Sequence, residues 1–190
     1  MKYLVLLAGC GLGDGSCIEE VILTYAVLDR YGCEYTPAAE DISVSSVNHL
    51  TEQPAETRNV LIEAARIGRG RIKEIHEINV AEYDALIIPG GIGLWNNYRD
   101  SDAIEACVTH FISKRKPIAA MCAGIDFLRR FLGSHFMEHE AKELNAEQFC
   151  FDADNNTYYT PAFRKTGSCY TTLLGLDAMI CALRQGRITG

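Results

Sequence analysis

Apolar residues along this chain fall into short unbroken runs that end in glycine turns, with helically periodic segments between them. Residues 3–8 are all apolar and lead into Gly9-Cys10-Gly11-Leu12-Gly13-Asp14-Gly15. Ala85-Leu86-Ile87-Ile88-Pro89 leads into Gly90-Gly91-Ile92-Gly93, and Lys116-Pro117-Ile118-Ala119-Ala120-Met121 ends on Cys122-Ala123-Gly124. Runs this short and uniformly apolar predict strands buried on both faces, as in a parallel sheet. Between the first two, Ile18, Val21, Ile22, Tyr25 and Leu28 recur at helical spacing up to Tyr31-Gly32. Ser16-Cys17-Ile18-Glu19 has the form of a capping box at the start of that helix.

Further along, 33–38 reads as a second strand, and 43–56, including Asn48-His49-Leu50, lacks a period and reads as a loop. Over 57–67 the positions Val60, Leu61, Ala64 and Ile67 trace one helical face, leaving Arg58, Glu63 and Arg66 on a solvated one. A helix over 104–112 turns Ile104, Cys107, Val108 and Phe111 inward. After Gly124, Ile125, Leu128, Phe131 and Leu132 continue another helix. Residues 133–148 are polar and partly helical, 149–151 and 157–160 form a hairpin, and a last helix covers about 170–183. Strand, glycine loop and helix in this order predict an α/β fold: a doubly wound, flavodoxin-like, mostly parallel sheet with helices on both faces, as one domain over 1–190. Ligands in such a sheet bind beyond the carboxyl ends of the strands, which brings the turns at 9–16, 90–93 and 121–124 together.

The turn at Cys122 has the pattern of a nucleophile elbow, whose tight strand-to-helix corner demands small residues two before and two after the nucleophile; Ala120 and Gly124 meet that demand. A thiol at a helix N-terminus is expected to favour thiolate. The Gly90-Gly91 turn allows a backbone N–H to approach an oxyanion closely. Neither Gly9-x-Gly11 nor Gly11-x-Gly13 has a glycine three residues on, so the dinucleotide fingerprint is absent.

A formal charge of −7 leaves no electrostatic footprint for nucleic acid or an anionic membrane. Leu7-Ala8-Gly9-Cys10 resembles the end of a lipoprotein signal, but the apolar run before it is short, and it is read as the first strand. Eight cysteines without a C-x-x-C pair argue against a zinc site or a disulfide framework and for a reducing, cytoplasmic setting.

Three runs carry a family resemblance: Gly9-Cys-Gly-Leu-Gly-Asp-Gly-Ser16; Asn48-His-Leu-Thr51 with Glu56-Thr-Arg-Asn-Val-Leu-Ile-Glu-Ala-Ala-Arg66; and Asp84-Ala-Leu-Ile-Ile-Pro-Gly-Gly-Ile-Gly93. Thr160-Pro-Ala-Phe163 is a fourth, shorter one. In this order they resemble the ThiJ/PfpI superfamily of class I glutamine amidotransferase-like proteins, and within it the ElbB-like branch, enhancing-lycopene-biosynthesis proteins described as glyoxalases. The resemblance implies Cys122 as nucleophile, the Ala123 and Gly91 N–H groups as oxyanion pocket, and Gly11 of the first loop at the substrate. It also implies an acidic residue from the first loop at the thiol. Counted from Gly15-Ser16, that position is Cys17, which would set two thiols face to face; Glu20, one turn on, would have to reach back by several ångströms. His49, Arg58, Asn59 and Glu63 line the pocket or brace the fold, with bracing preferred. No histidine follows Cys122 directly, and His135 and His139 read as exposed.

Two functions follow as expectations. One is a glyoxalase III-type hydro-lyase without cofactor or metal, converting small 2-oxoaldehydes such as methylglyoxal to 2-hydroxy acids through Cys122, with Cys17 or Glu20 carrying the proton. The other is a redox-responsive or binding protein with little turnover, in which Cys17 resolves or links to Cys122. In either case the expected assembly is a homo-oligomer, a dimer, whose partner is a small aldehyde.

Overall fold

The computed structural model describes residues 1–186. The first strand, β1 (Lys2–Leu6), lies inside a seven-stranded sheet, third from one edge. It pairs in parallel with β2 (Glu34–Ala39) on one side and β6 (Ala85–Ile88) on the other. The short β5 (Lys73–Glu74) extends the sheet beyond β2. On the other side come β7 (Ile118–Met121) and β9 (Thr157–Thr160), both parallel, and then β8 (Cys150–Asp152), antiparallel to β9. The order is therefore β5-β2-β1-β6-β7-β9-β8. Every residue of β6, β7 and β9 is buried, which explains the unbroken apolar sequences of β6 and β7; in β9 the buried Thr157 and Thr160 hydroxyls donate to the Asn155 and Gln148 carbonyl oxygens.

The helices are α1 (Ile18–Arg30), α2 (Val60–Ile67), α3 (Gly93–Asn97), α4 (Asp102–Ser113), α5 (Gly124–Leu132), α6 (Glu138–Glu143) and α7 (Cys169–Gln185). α1 packs on α7 and α3 on α5. Asn59, Ser101 and Ser168 cap α2, α4 and α7 with side-chain oxygens, each accepting an N–H three residues on. This is the α/β flavodoxin-like architecture expected from the buried runs. No helix among the described residues is long and apolar enough to cross a membrane.

Two local expectations fail. The segment read as a loop forms an antiparallel hairpin, β3 (Ser43–Asn48) with β4 (Gln53–Asn59). β4 is exposed at five of its seven positions, and the inward face of β3 carries the polar Ser46 before a bulge between Ser45 and Val47 shifts the register, so neither shows an apolar period-two alternation. The turn is held by Asn48 Oδ1, which accepts the Leu50 N–H at 2.9 Å. The capping box also does not form. Ser16 is fully buried and its Oγ accepts the Ala8 N–H at 2.9 Å, so the helix starts after an uncapped Cys17.

Candidate active site

The turns after β1, β6 and β7 meet at the carboxyl ends of the strands. The first two are zipped by backbone hydrogen bonds: Cys17 N–H to Gly90 O at 2.8 Å, Ile92 N–H to Leu12 O at 2.8 Å, and Gly93 N–H to Gly15 O at 3.1 Å. Asn97 Nδ2 adds two more, to Ala8 O at 2.9 Å and Asp14 O at 2.8 Å. Gly91 has φ +115°, and a Cβ there would stand 2.2 Å from Gly15 O and 2.7 Å from the Cys17 nitrogen, so only glycine lets the loops touch.

After β7 the backbone turns through Cys122 at φ +48°, the left-handed region that side chains rarely enter, and α5 begins two residues later. The Cys122 N–H donates to Thr160 O at 3.1 Å, pinning the corner to the end of β9. A Cβ on Gly124 would meet Ile88 O at 2.7 Å, which gives the small residue after the nucleophile a concrete cause. Cys122 is thus held in a strained corner by strands on both sides.

Glu20 is the group brought to the thiol. It is fully buried, and its Oε2 accepts the Gly90 N–H at 2.6 Å. The Cys122 thiol and the Phe163 N–H make looser contacts that also favour the ionised carboxyl. Its Oε1 closes no hydrogen bond among the described residues. Burial outweighs these donors and pushes the Glu20 carboxyl up to about 7. Burial, followed by the Glu20 charge, pushes the Cys122 thiol up to about 12, against the Arg164 charge and the Ala123 N–H. The helix N-terminus therefore does not produce a resting thiolate. With both groups raised, the pair retains a proton at neutral pH.

The anticipated pairing of two thiols is replaced by this thiol and carboxyl. Cys17 is buried, but its Sγ donates to Glu19 Oε2 at 3.4 Å, and burial and the Glu20 charge push its pKa upward. Glu20 reaches the elbow because Cys17 precedes the helix, making Glu20 a first-turn residue, and helical side chains lean toward the N-terminus. Gly11 does not offer its N–H to a substrate: it donates to Ser16 O at 3.0 Å, and a Cβ on Gly11 would lie 2.7 Å from the His49 ring. The Gly91 N–H donates to no acceptor among the described residues. Among those residues no cluster of His, Cys, Asp and Glu is built to hold a metal.

A profile of the DJ-1/PfpI family matches residues 10–131, which contain both Glu20 and Cys122. The chain belongs to the DJ-1/PfpI family. This member is similar over its whole length to an isoprenoid biosynthesis protein with an amidotransferase-like domain from Ehrlichia chaffeensis: TM-score 0.85, 28% identity, 97% of this chain and 98% of that one. It is 34% identical over 134 residues to the human glutamine amidotransferase-like class 1 domain-containing protein 3, mitochondrial, covering 64% of this chain and 50% of that protein. The rat ES1 protein homolog, mitochondrial, is 33% identical over a stretch covering the same shares. The chain spans about half the length of these curated relatives. Drosophila melanogaster DJ-1beta, at 17% identity and TM-score 0.55, shares the fold, with 95% of this chain and 88% of that one covered.

Two contributors to this DJ-1/PfpI site lie beyond the matched stretch. Thr160-Pro161-Ala162-Phe163 turns sharply, with Ala162 at φ +48°, and delivers the Phe163 N–H to Glu20. Arg164 follows it, and its charge acts on Cys122. The first four residues carry the short family motif, whereas no periodicity or spacing singles out Arg164. His49 braces the first loop, its Nε2 accepting the Gly13 N–H at 3.1 Å. Arg58 pairs with Glu56 and, at 3.4 Å, with Glu63, and Asn59 Nδ2 donates to Asp41 Oδ1 at 2.6 Å. His135 is paired with Glu138 at 2.7 Å at the surface.

Proposed function

We propose that this protein is a glyoxalase-type enzyme, acting without cofactor on small 2-oxoaldehydes through Cys122 and Glu20. The observation that carries this reading is the buried carboxyl beside a buried thiol, both with raised pKa, so that a proton can be passed rather than simply held. With methylglyoxal, the Cys122 sulfur adds to the aldehyde carbon as its proton moves to the new alkoxide, giving a hemithioacetal. The Ala123 and Gly91 N–H groups are assigned to the developing oxyanion. Glu20 as carboxylate takes the proton from the former aldehyde carbon, and the electron pair moves to form an enediolate. Glu20 as acid returns the proton to the neighbouring carbon as the hydroxyl proton of the former aldehyde carbon passes to the neighbouring oxygen, leaving a lactoyl thioester on Cys122. Water cleaves the carbon–sulfur bond, releasing lactate and restoring the thiol. One carbon is oxidised and its neighbour reduced, so no external oxidant or reductant enters.

A redox reading, with Cys17 resolving an oxidised Cys122, has less support, since its premise was that no carboxyl serves the thiol. The eight cysteines are all free, which favours a reducing compartment such as the cytoplasm, although two matched relatives are named as mitochondrial. The test is lactate formation from methylglyoxal by the wild-type protein and by Cys122→Ser and Glu20→Gln. Lactate from the wild type alone supports the reading, and no lactate, or equal amounts from Cys122→Ser, refutes it.

A further inference from the structure

Arg164 joins the elbow to a second feature of the surface. Asp126 lies one helical turn beyond Cys122 on α5, and its carboxylate holds Arg129 through Oδ1 at 2.7 Å and Arg164 through Oδ2. Two guanidiniums thus share one carboxylate, leaving positive charge in surplus next to the nucleophile. Nε and Nη1 of Arg164 donate to no acceptor among the described residues, so single donors on either side of the Asp126 contact stay available.

From Arg164 and Arg129 an open cleft of about 490 Å³ extends past Lys142 and Lys165. That is the size of an ordinary small-molecule site. Lys165 Nζ is steered into place by the Lys142 carbonyl oxygen at 2.8 Å, and Lys142 Nζ by Glu138 at 2.9 Å. Four permanent cations therefore meet two carboxylates, Asp126 and Glu138. In a chain of net charge −7 this is a local reversal of sign; Cys122 does not itself line the cleft, and Arg164, whose neighbour Phe163 reaches Glu20 and whose charge acts on Cys122, ties the two together.

The geometry points to an oxyanion-binding cleft that orients the substrate of Cys122, so that the compound this site takes is a small carbonyl compound carrying a carboxylate or a phosphate rather than a neutral aldehyde. The substrate class rests on the glyoxalase reading above; the affinity of the cleft for an anion does not. Arg164 binds the anionic end through a single charge-assisted hydrogen bond from one of its unused donors, while the carbonyl end lies at Cys122.

The test separates these two claims. Alkylation of Cys122, followed by peptide mass spectrometry, is compared for iodoacetate, which is anionic, and iodoacetamide, which is neutral. In both the sulfur displaces iodide and loses its proton, so the pair differs in charge alone. The ratio of the iodoacetate rate to the iodoacetamide rate is expected to fall about tenfold in Arg164→Gln, the worth of one charge-assisted hydrogen bond, and to be largely retained in Arg164→Lys. Equal ratios in wild type and Arg164→Gln overturn the proposal. Should Cys122 take neither reagent, inorganic phosphate decides: a rise in Tm of the wild type that both Arg164→Gln and Arg129→Gln lose supports the cleft, and no rise refutes it. A 2-oxoaldehyde bearing a phosphate and one bearing a carboxylate then distinguish the two anions by KM. If neither is turned over while the charge preference holds, the glyoxalase reading fails and the cleft stands.

Discussion

Cys17 and Cys122 occupy similar settings by sequence, yet the structure gives them different surroundings. Each follows a buried parallel strand and a small-residue turn, each precedes a helix, and both thiols are nearly inaccessible. The backbone separates them. Cys17 is extended, at φ −61° and ψ 116°, with its N–H tied to Gly90 O and its thiol turned to Glu19. Cys122 is left-handed, at φ +48°, and its thiol meets Glu20 and the charge of Arg164. A cysteine at a helix start is thus not in itself a nucleophile. The corner that holds it and the group aimed at it decide.

The largest expected effect follows directly. Cys122→Ser should abolish lactate formation, a loss of at least about a thousandfold, because the covalent intermediate is gone. Cys17→Ser should keep activity within about threefold of wild type, since the proposed mechanism routes no proton through Cys17. Comparable losses in the two variants would erase the distinction.

Glu20→Gln should reduce turnover by about a hundredfold or more, the usual worth of a general acid–base. The same variant should be more stable at alkaline pH. The folded pKa of Glu20, about 7, lies above its ordinary value of 4.5, so the folded state holds this proton over a window where the unfolded chain has lost it. Stability from that group is complete below pH 4.5 and is lost as the pH rises through 7. Glutamine does not titrate, so above neutrality the variant should gain about 3 kcal/mol over wild type, and little in acid, as read by denaturant melts.

Gly90→Ala tests how tightly the pair is packed. The added Cβ would lie 2.5 Å from Glu20 Oε2 and 2.7 Å from the Cys122 Cβ, so one of them must shift. We expect a loss of about 1–3 kcal/mol and a marked fall in kcat with KM less affected. The smallest effect belongs to the other loop. Cys17→Ser places a good cap on a helix that lacks a side-chain cap and should raise stability by about 1 kcal/mol without changing Cys122 reactivity.

The same contrast explains what could be read from the chain in advance. The strands around the elbow were legible because helices cover the sheet and force unbroken apolar runs on β1, β6 and β7. The glycine turns were legible because Gly91 and Gly124 leave no room for a side chain. The β3–β4 hairpin was not, because the inward position of β3 is the polar Ser46, a bulge between Ser45 and Val47 breaks its alternation, and its partner strand is mostly exposed. The first-loop serine misled for a different reason: Ser16 looks like a cap, but its hydroxyl serves Ala8 across the loop. Glu20 was visible as a candidate, yet its reach depends on where the helix begins, which spacing alone leaves open by a residue or two. Arg164 and the Asp126 carboxylate that holds it are far apart in sequence and meet only through the turn at Ala162.

The central claim is that Glu20, and not Cys17, governs the proton of Cys122. Its most direct measurement is the rate of Cys122 alkylation by iodoacetamide from acid to alkaline pH in the wild type, Glu20→Gln and Cys17→Ser. The account predicts a step near pH 7 in the wild type and in Cys17→Ser, rising as Glu20 ionises, and no such step in Glu20→Gln. A step that survives in Glu20→Gln, or that disappears in Cys17→Ser, would contradict it.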